Sequence, residues 1–430
     1  MAASGALHGW WWMRRLRELL TPRGERLRVL ELAGIVFLAQ AAVGVYLLAL
    51  VQQYLPQKLD AGPAFPGYAM ACYGLGKFVW QTPAGWLADR IGRRVAMVAG
   101  MALSVPVLAL FMTVPNGGAF LAFSFLLGIC AATTWPAFMA HVGEVTPHAR
   151  RARTMSVLNI AQMAGLGLGT LAGVLMVDFV TYSAAFWSCI AFNVLALLVV
   201  VQRVEPPAAQ LTPVDHESQP SAEPVRATRP DASRAWSPGI AVLAVIVLFL
   251  TVGTSMQAPM IGAYTDEVLK TRMSTLALLL PLPAAVAAIG FWKFGHLTDR
   301  YPRQVPLVVG LFVAALSIFA LTQTTHPMIV VTLVVLAGSA YAISIPAWGA
   351  AALDATDVGS RGLWLGLLST VQGLGAVGGQ ALGGVIGGAW GPTAPFKIAA
   401  LALMIALTLT VAHQWHQSRR RSLVGDPALG

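Results

Sequence analysis

The residues of this chain that could do chemistry are mostly placed where they cannot act together. All 18 carboxylates lie in polar turns, in tails or at the ends of apolar runs, and no nucleophile, base and metal-ligand constellation forms by spacing. No phosphate-cradling loop of the GxxxxGK type is present. Cys72, Cys130 and Cys189 each fall inside an apolar run, where a thiol acts as a small hydrophobe. Neither an enzyme nor a metal or cofactor site is therefore expected. The exception is Lys77, about eleven residues into an apolar run and so roughly 16 Å deep at the helical rise per residue. Tyr73, Lys77 and Gln81 follow one another at i, i+4 spacing and form one polar stripe. An ionisable group at such depth is expensive enough to mark function. Its chemistry would be that of a cavity ammonium, binding an anionic or acceptor-rich substrate or exchanging a proton. The alternative is a neutral or snorkelled lysine satisfied by carbonyls.

Uncharged polar groups on other apolar runs could line the same path: Gln40, Gln162, Thr254, Tyr341 and Gln372. Trp135 and Trp348 could supply an apolar wall, and core packing explains them equally. Each polar group alone is also explained by a hydrogen bond between packed helices.

The elements that must position these groups follow from composition. The chain is 57% hydrophobic and only 11% charged, with a mean hydropathy of +0.69, too little polar surface for a soluble globule. Twelve segments long enough to cross a bilayer can be placed near 31–53, 66–87, 94–114, 118–141, 154–178, 182–202, 238–260, 273–296, 304–323, 327–350, 362–388 and 393–413. The net charge of +10 does not point to nucleic acid, because Lys and Arg cluster in alternate turns. That is the positive-inside pattern, with both termini cytoplasmic. Residues 1–30 form a cytoplasmic segment without a cleavable-signal layout. There Trp10, Trp11 and Trp12 with Arg14, Arg15 and Arg17 read as an interfacial helix or else a disordered tail. Residues 31–202 and 238–413 are two six-helix bundles, 203–237 is a flexible cytoplasmic linker rich in Pro, Ser and Ala, and 414–430 is a cytoplasmic tail.

The halves are copies. At an offset of 210 residues Gly85, Asp89, Arg90 and Arg93 match Gly295, Asp299, Arg300 and Arg303. Further on, Glu144 matches Asp354, Arg151 matches Arg361, Gln162 matches Gln372, and Gly165, Gly169 and Gly173 match Gly375, Gly379 and Gly383. A parallel repeat of six plus six helices, with substrate near the midplane at the pseudo-twofold interface, is a layout of secondary transporters. The two glycine rows have the small-xxx-small spacing that brings helices close. By the repeat, Gln162 and Gln372 belong on opposite walls of one cavity.

GWLADRIGRR, residues 85–94, resembles the signature loop between helices two and three of the major facilitator superfamily, with Gly85, Asp89, Arg90, Gly92, Arg93 and Arg94 in register; GHLTDRYPRQ is similar to its second copy. The resemblance implies an all-α polytopic membrane protein of twelve transmembrane helices in two pseudo-symmetric bundles. It also implies a conformational latch, in which Asp89 docks against the start of helix eleven near Ser360 to Gly362 while Arg93 reaches Glu144. Asp299, Arg300, Asp354 and Arg361 are the counterparts. The helix-five glycines are similar to the antiporter motif of drug and proton exchangers, but Thr170 stands where that motif has Pro and Val174 where it has its last Gly. Helix four lacks the Arg of the proton-coupling motif. The implied function is export of small drug-like or amphipathic organic molecules by alternating access in the cytoplasmic (inner) membrane. The protein would be a monomer whose partners are substrate and bilayer, not nucleic acid, with no cofactor beyond a coupling H+. Uptake or exchange of an organic anion, and a non-transporting scaffold or sensor, remain as alternatives.

Overall fold

The computed structural model describes residues 23–146, 150–204, 238–279, 304–354 and 361–424. Among them the chain is helical throughout apart from short connections. α1 runs Arg23–Gly44, passes into a π-helical stretch Val45–Tyr54 and ends in the turn Leu55–Lys58. α2 (Phe65–Ile91), α3 (Arg93–Leu110), α4 (Gly117–Val145), α5 (Arg151–Phe179) and α6 (Tyr182–Arg203) complete the first bundle. α7 (Pro238–Ser255) continues through a 3-10 turn Ala258–Met260 and a π turn Tyr264–Val268. It is followed by α8 (Met273–Leu279), α9 (Gln304–Leu321), α10 (Pro327–Asp354), α11 (Arg361–Trp390) and α12 (Ala394–Val424).

Two helices reach beyond their apolar runs. α1 begins at Arg23 and α12 continues to Val424, taking in parts of the segments assigned above to an N-terminal segment and a tail. Arg, Glu and Gln are good helix formers, so a helix can leave the apolar layer and continue, whereas hydropathy marks only its buried part. Where the backbone does stop, local chemistry explains it. The Asn116 side chain accepts the Ala119 N–H at 2.9 Å and starts α4, and Thr181 does the same for Ala184 at 3.2 Å and starts α6.

Seven described helices are each long and apolar enough to cross a bilayer. α2 and α11 are not among them. Their glycines and polar groups belong to surfaces that meet other helices, while Leu103, Trp187, Phe319 and Leu401 stay exposed on the periphery, as side chains facing lipid do. In the first bundle Tyr46, Phe111, Phe120 and Phe186 form an aromatic core, with Phe111 and Phe120 edge to face at 4.6 Å. The second bundle is cored by Met260, Tyr264, Leu311, Ala399 and Leu403.

Glycine rows set the closest helix contacts. A Cβ on Gly165 or Gly169 would strike the α1 backbone at Phe37 and Ala41, and one on Gly379 or Gly383 the α7 backbone at Val252 and Met256. Gly173 and Gly375 extend the two rows, against Val45 and Thr251. Thus α5 lies on α1 as α11 lies on α7, the same contact in each half. The glycine spacing produces two equivalent helix pairs. Gly169→Val and Gly383→Val are expected to destabilise the fold by about 2–3 kcal/mol through forced overpacking, or to abolish folded protein. Gly167→Ala and Gly378→Ala, where an added Cβ meets nothing within 4 Å, should raise stability by up to about 1 kcal/mol by helix propensity. Thermal melting of detergent-solubilised protein, monitored by size exclusion, distinguishes the two groups.

Candidate functional site

At one end of the first bundle, residues 85–94 make a turn of a single residue. Gly92 alone separates α2 from α3, with φ of +92°. That region favours glycine because a Cβ would clash with the backbone, and this accounts for its place in the motif. Three arginines leave the turn in different directions. Arg90 stacks on the Trp86 ring at 3.8 Å, and Arg94 donates to the Val201 carbonyl on α6 at 2.7 Å. Arg93 pairs with Glu144 of α4 at 2.9 Å and with Asp89 at 3.3 Å. The Asp89 side chain remains 69% exposed, and Gly85 lies one turn before it on α2. Asp299 and Arg300 lie outside the described residues, as do the side chains of Asp354, Arg361, Tyr341 and Trp348.

A cavity of about 210 Å³ opens inside the first bundle, among α1 to α6. Five of the residues singled out from sequence line it: Gln40, Tyr73, Lys77, Trp135 and Gln162. Gln81 is exposed one turn beyond Lys77. Gln372 is half-buried on α11 and Thr254 donates to the Leu250 carbonyl at 2.9 Å; neither lines this cavity. Gly128 fixes the depth of Lys77. It lies so close to α2 that a Cβ there would sit 3.0 Å from the Lys77 backbone nitrogen and against the Tyr73 carbonyl. The Lys77 ammonium lies 5.9 Å from the centre of the Tyr73 ring.

Sequence reasoning missed Tyr46, Ser104, Thr134 and Asn193, which share the wall. Asn193 had a signal, since it is an isolated amide within the apolar run of α6. Ser104 donates to Met101 at 2.6 Å and Thr134 to Cys130 at 3.1 Å, so both hydroxyl protons are used within their own helices. The groups left for a guest include the Lys77 ammonium, the amides of Gln40, Gln162 and Asn193 and the Tyr46 hydroxyl.

At the opposite end from the basic turn the two bundles are joined. Gln52 and Gln53, 4% and 5% exposed, reach out from the π-helical stretch of α1. Gln52 donates to the Ala258 carbonyl at 2.8 Å and accepts the Gly262 N–H at 3.1 Å. Gln53 donates to Asp178 of α5 at 3.1 Å, and the same carboxylate accepts the Ser274 N–H of α8 at 3.0 Å. On the other flank Gly67 and Gly384 bring α2 and α11 into backbone contact. Thr170, in the place of the missing proline, donates to its own helix at Leu166 (2.7 Å) and touches the Gly44 carbonyl at 3.4 Å, where the π-helical stretch of α1 begins.

Paired six-helix bundles around a pseudo-twofold, with a polar cavity and a joint at one end, define a multi-pass secondary transporter rather than an enzyme. Residues 32–327 and 243–423 match the profile of the Major Facilitator Superfamily, and the chain belongs to that family. It is 23% identical over 379 residues to Multidrug resistance protein 1 of Bacillus subtilis (strain 168), covering 86% of this chain and 93% of the relative. It is 23% identical over 360 residues to the proton-coupled antiporter flippase LtaA of Staphylococcus haemolyticus (strain JCSC1435), covering 82% and 85%. Its fold matches a bacterial homologue of the human lysosomal transporter Spinster, solved inward-facing and occupied, with a TM-score of 0.73 at 14% identity, over 92% of this chain and 97% of that one.

The joint gives a direct prediction. Gln52→Ala removes two buried hydrogen bonds and leaves the Gly262 N–H unpaired, a loss of about 1–3 kcal/mol. Cys130 and Cys189 line the cavity. With Cys72 replaced by Ser, their maleimide labelling from the joined end should rise several-fold in Gln52→Ala and in Asp178→Ala. Unchanged labelling would mean that the joint does not hold the bundles.

Proposed function

We propose that this protein exports small amphipathic organic molecules in exchange for protons, by rocking its two bundles against each other, and that it works as a monomer in the inner membrane. The positive-inside pattern assigns the basic turn and both termini to the cytoplasm and the Gln52–Asp178 joint to the outside. The observation that carries the proposal is the difference between the two ends. The outer end is held by hydrogen bonds between bundles, whereas towards the basic turn Gln81, Thr82 and Pro83 of α2 are exposed. This is the arrangement expected of a transporter open to cytoplasmic substrate. The relatives named multidrug resistance protein and proton-coupled antiporter flippase support export and proton coupling.

On this reading Asp89 is the free half of a latch. It pairs with Arg93 while the cytoplasmic side is open, and docks on the start of α11 when that side closes. Glu144 holds Arg93 in place throughout, and the counterparts Asp299, Arg300, Asp354 and Arg361 serve the second bundle. A partly buried carboxylate at a helix end contributes up to about 2 kcal/mol, or a factor near thirty in a two-state equilibrium.

Two measurements test this. Everted vesicles bearing the protein should accumulate a fluorescent amphiphile only under a proton gradient, and gradient-independent or absent accumulation across a broad panel of amphiphiles would sink the export reading. Asp89→Asn should slow transport up to roughly thirtyfold while raising cytoplasmic-side labelling of Cys130 and Cys189. Labelling identical to the wild type would remove the latch.

A further inference from the structure

We infer that the cavity of the first bundle selects a monoanion, an aromatic carboxylate of one or two rings. This rests on reading that cavity as the substrate site. Among the residues that line it, Lys77 is the one charged side chain, and no carboxylate accompanies it. Its ammonium has a ring contact with Tyr73 at 5.9 Å and no hydrogen bond or ion pair to a described residue. A half-buried cation set in a largely apolar wall without a counter-charge disfavours a cationic guest and favours one that brings the missing negative charge. One ammonium matches one negative charge, so a monocarboxylate suits the site better than a phosphomonoester dianion.

Uncharged groups point the same way. The amides of Gln40, Gln162 and Asn193 and the hydroxyl of Tyr46 supply donors from which a carboxylate can accept, whereas Ser104 and Thr134, whose protons go to Met101 and Cys130, offer it none. The rest of the wall includes the rings of Tyr46, Tyr73 and Trp135, which suit a flat apolar body. A space of about 210 Å³ accommodates a body of one or two rings. Gly128 holds the Lys77 backbone at fixed depth, which sets the level from which its flexible side chain reaches into the cavity.

The test is equilibrium binding to the full-length protein in nanodiscs, without any gradient, of benzoate, 1-naphthoate, the matched neutral benzamide and the cation benzylamine. A charge-assisted hydrogen bond out of bulk water predicts that benzoate binds roughly ten- to hundredfold more tightly than benzamide and that benzylamine binds worst. Lys77→Gln should erase the benzoate preference and Lys77→Arg should retain most of it. Equal affinity for benzoate and benzamide in the wild type, a preference for benzylamine, or failure of both carboxylates to bind overturns the inference, whether or not the Lys77 variants fold. A charge preference that survives in folded Lys77→Gln overturns it as well. Because no gradient is used, the two readings fail separately. Proton-driven export without charge selectivity removes the anion inference alone, and selective binding without export removes the export reading alone.

Discussion

The structure depends most on the contact between Gln52 and Gly262. These two residues are separated by 210 positions, the period of the internal repeat, so each occupies the other's place in the opposite bundle. Residues related by a twofold can touch only beside its axis, and the amide of Gln52 therefore marks where the pseudo-twofold passes. The same operation carries α1 onto α7, α2 onto α8 and α5 onto α11. It requires that the contact of α2 with α11 recur as a contact of α8 with α5, and both contacts are present. Agreement extends to single residues. Asp178 accepts the Ser274 N–H, and the positions equivalent to these are Gly388 and Ala64, where a Cβ on the glycine would lie 3.3 Å from the Ala64 nitrogen.

The two flanks are thus the same contact made with different chemistry. On the α2–α11 flank backbones meet directly through Gly67, Gly384 and Gly388, a close, non-directional contact. On the α5–α8 flank a carboxylate held by Gln53 completes the joint through directional hydrogen bonds. The axial Gln52 makes two bonds across the interface and is buried, so it favours closure as long as both remain and exposes an orphaned backbone N–H once one is lost. A joint built from a few directional bonds on a packed surface has two discrete conditions, made or broken, and that is what alternating access requires of it. The π-helical turns of α1 contribute by displacing the helix from its regular register where these amides must emerge, a common use of such turns.

Much of this architecture is legible in the sequence because it is periodic. Twelve apolar runs, the 210-residue repeat and the glycine rows each leave a pattern, and the rows pack on α1 and α7 as their spacing demands. Lys77 is visible for the opposite reason, as one ionisable group in an apolar run. The joint is less visible, since Gln52, Gln53 and Asp178 are ordinary residues until four helices from two bundles bring its parts together, and periodicity describes one helix at a time. The signal that existed was the repeat itself: a polar residue facing its own counterpart near a helix end is a candidate for the axis. The wall residue Tyr46 was hidden differently, since which face of α1 turns inward is decided by neighbours that a single sequence does not order. The extra helical turns at Arg23 and Val424 were hidden because hydropathy follows lipid contact, not helix length.

The proposed gate and the proposed cargo site use different chemistry at different depths, and their separation has a mechanical reason. The basic turn and the joint lie at opposite ends of the helices, while the described cavity belongs wholly to the first bundle, where α2 carries both Lys77 and Asp89. In the proposed mechanism a substrate that neutralises Lys77 acts on the helix whose far end bears Asp89, and Gly76 and Gly128 hold the middle of that helix on α4 with almost no space between backbones. A helix so confined transmits a push along its length better than it bends, because packed interiors yield little to local strain. Cargo binding and gate position can then be coupled by one rigid element, provided that binding favours one position of α2 over the other; equal affinity for both would shift nothing.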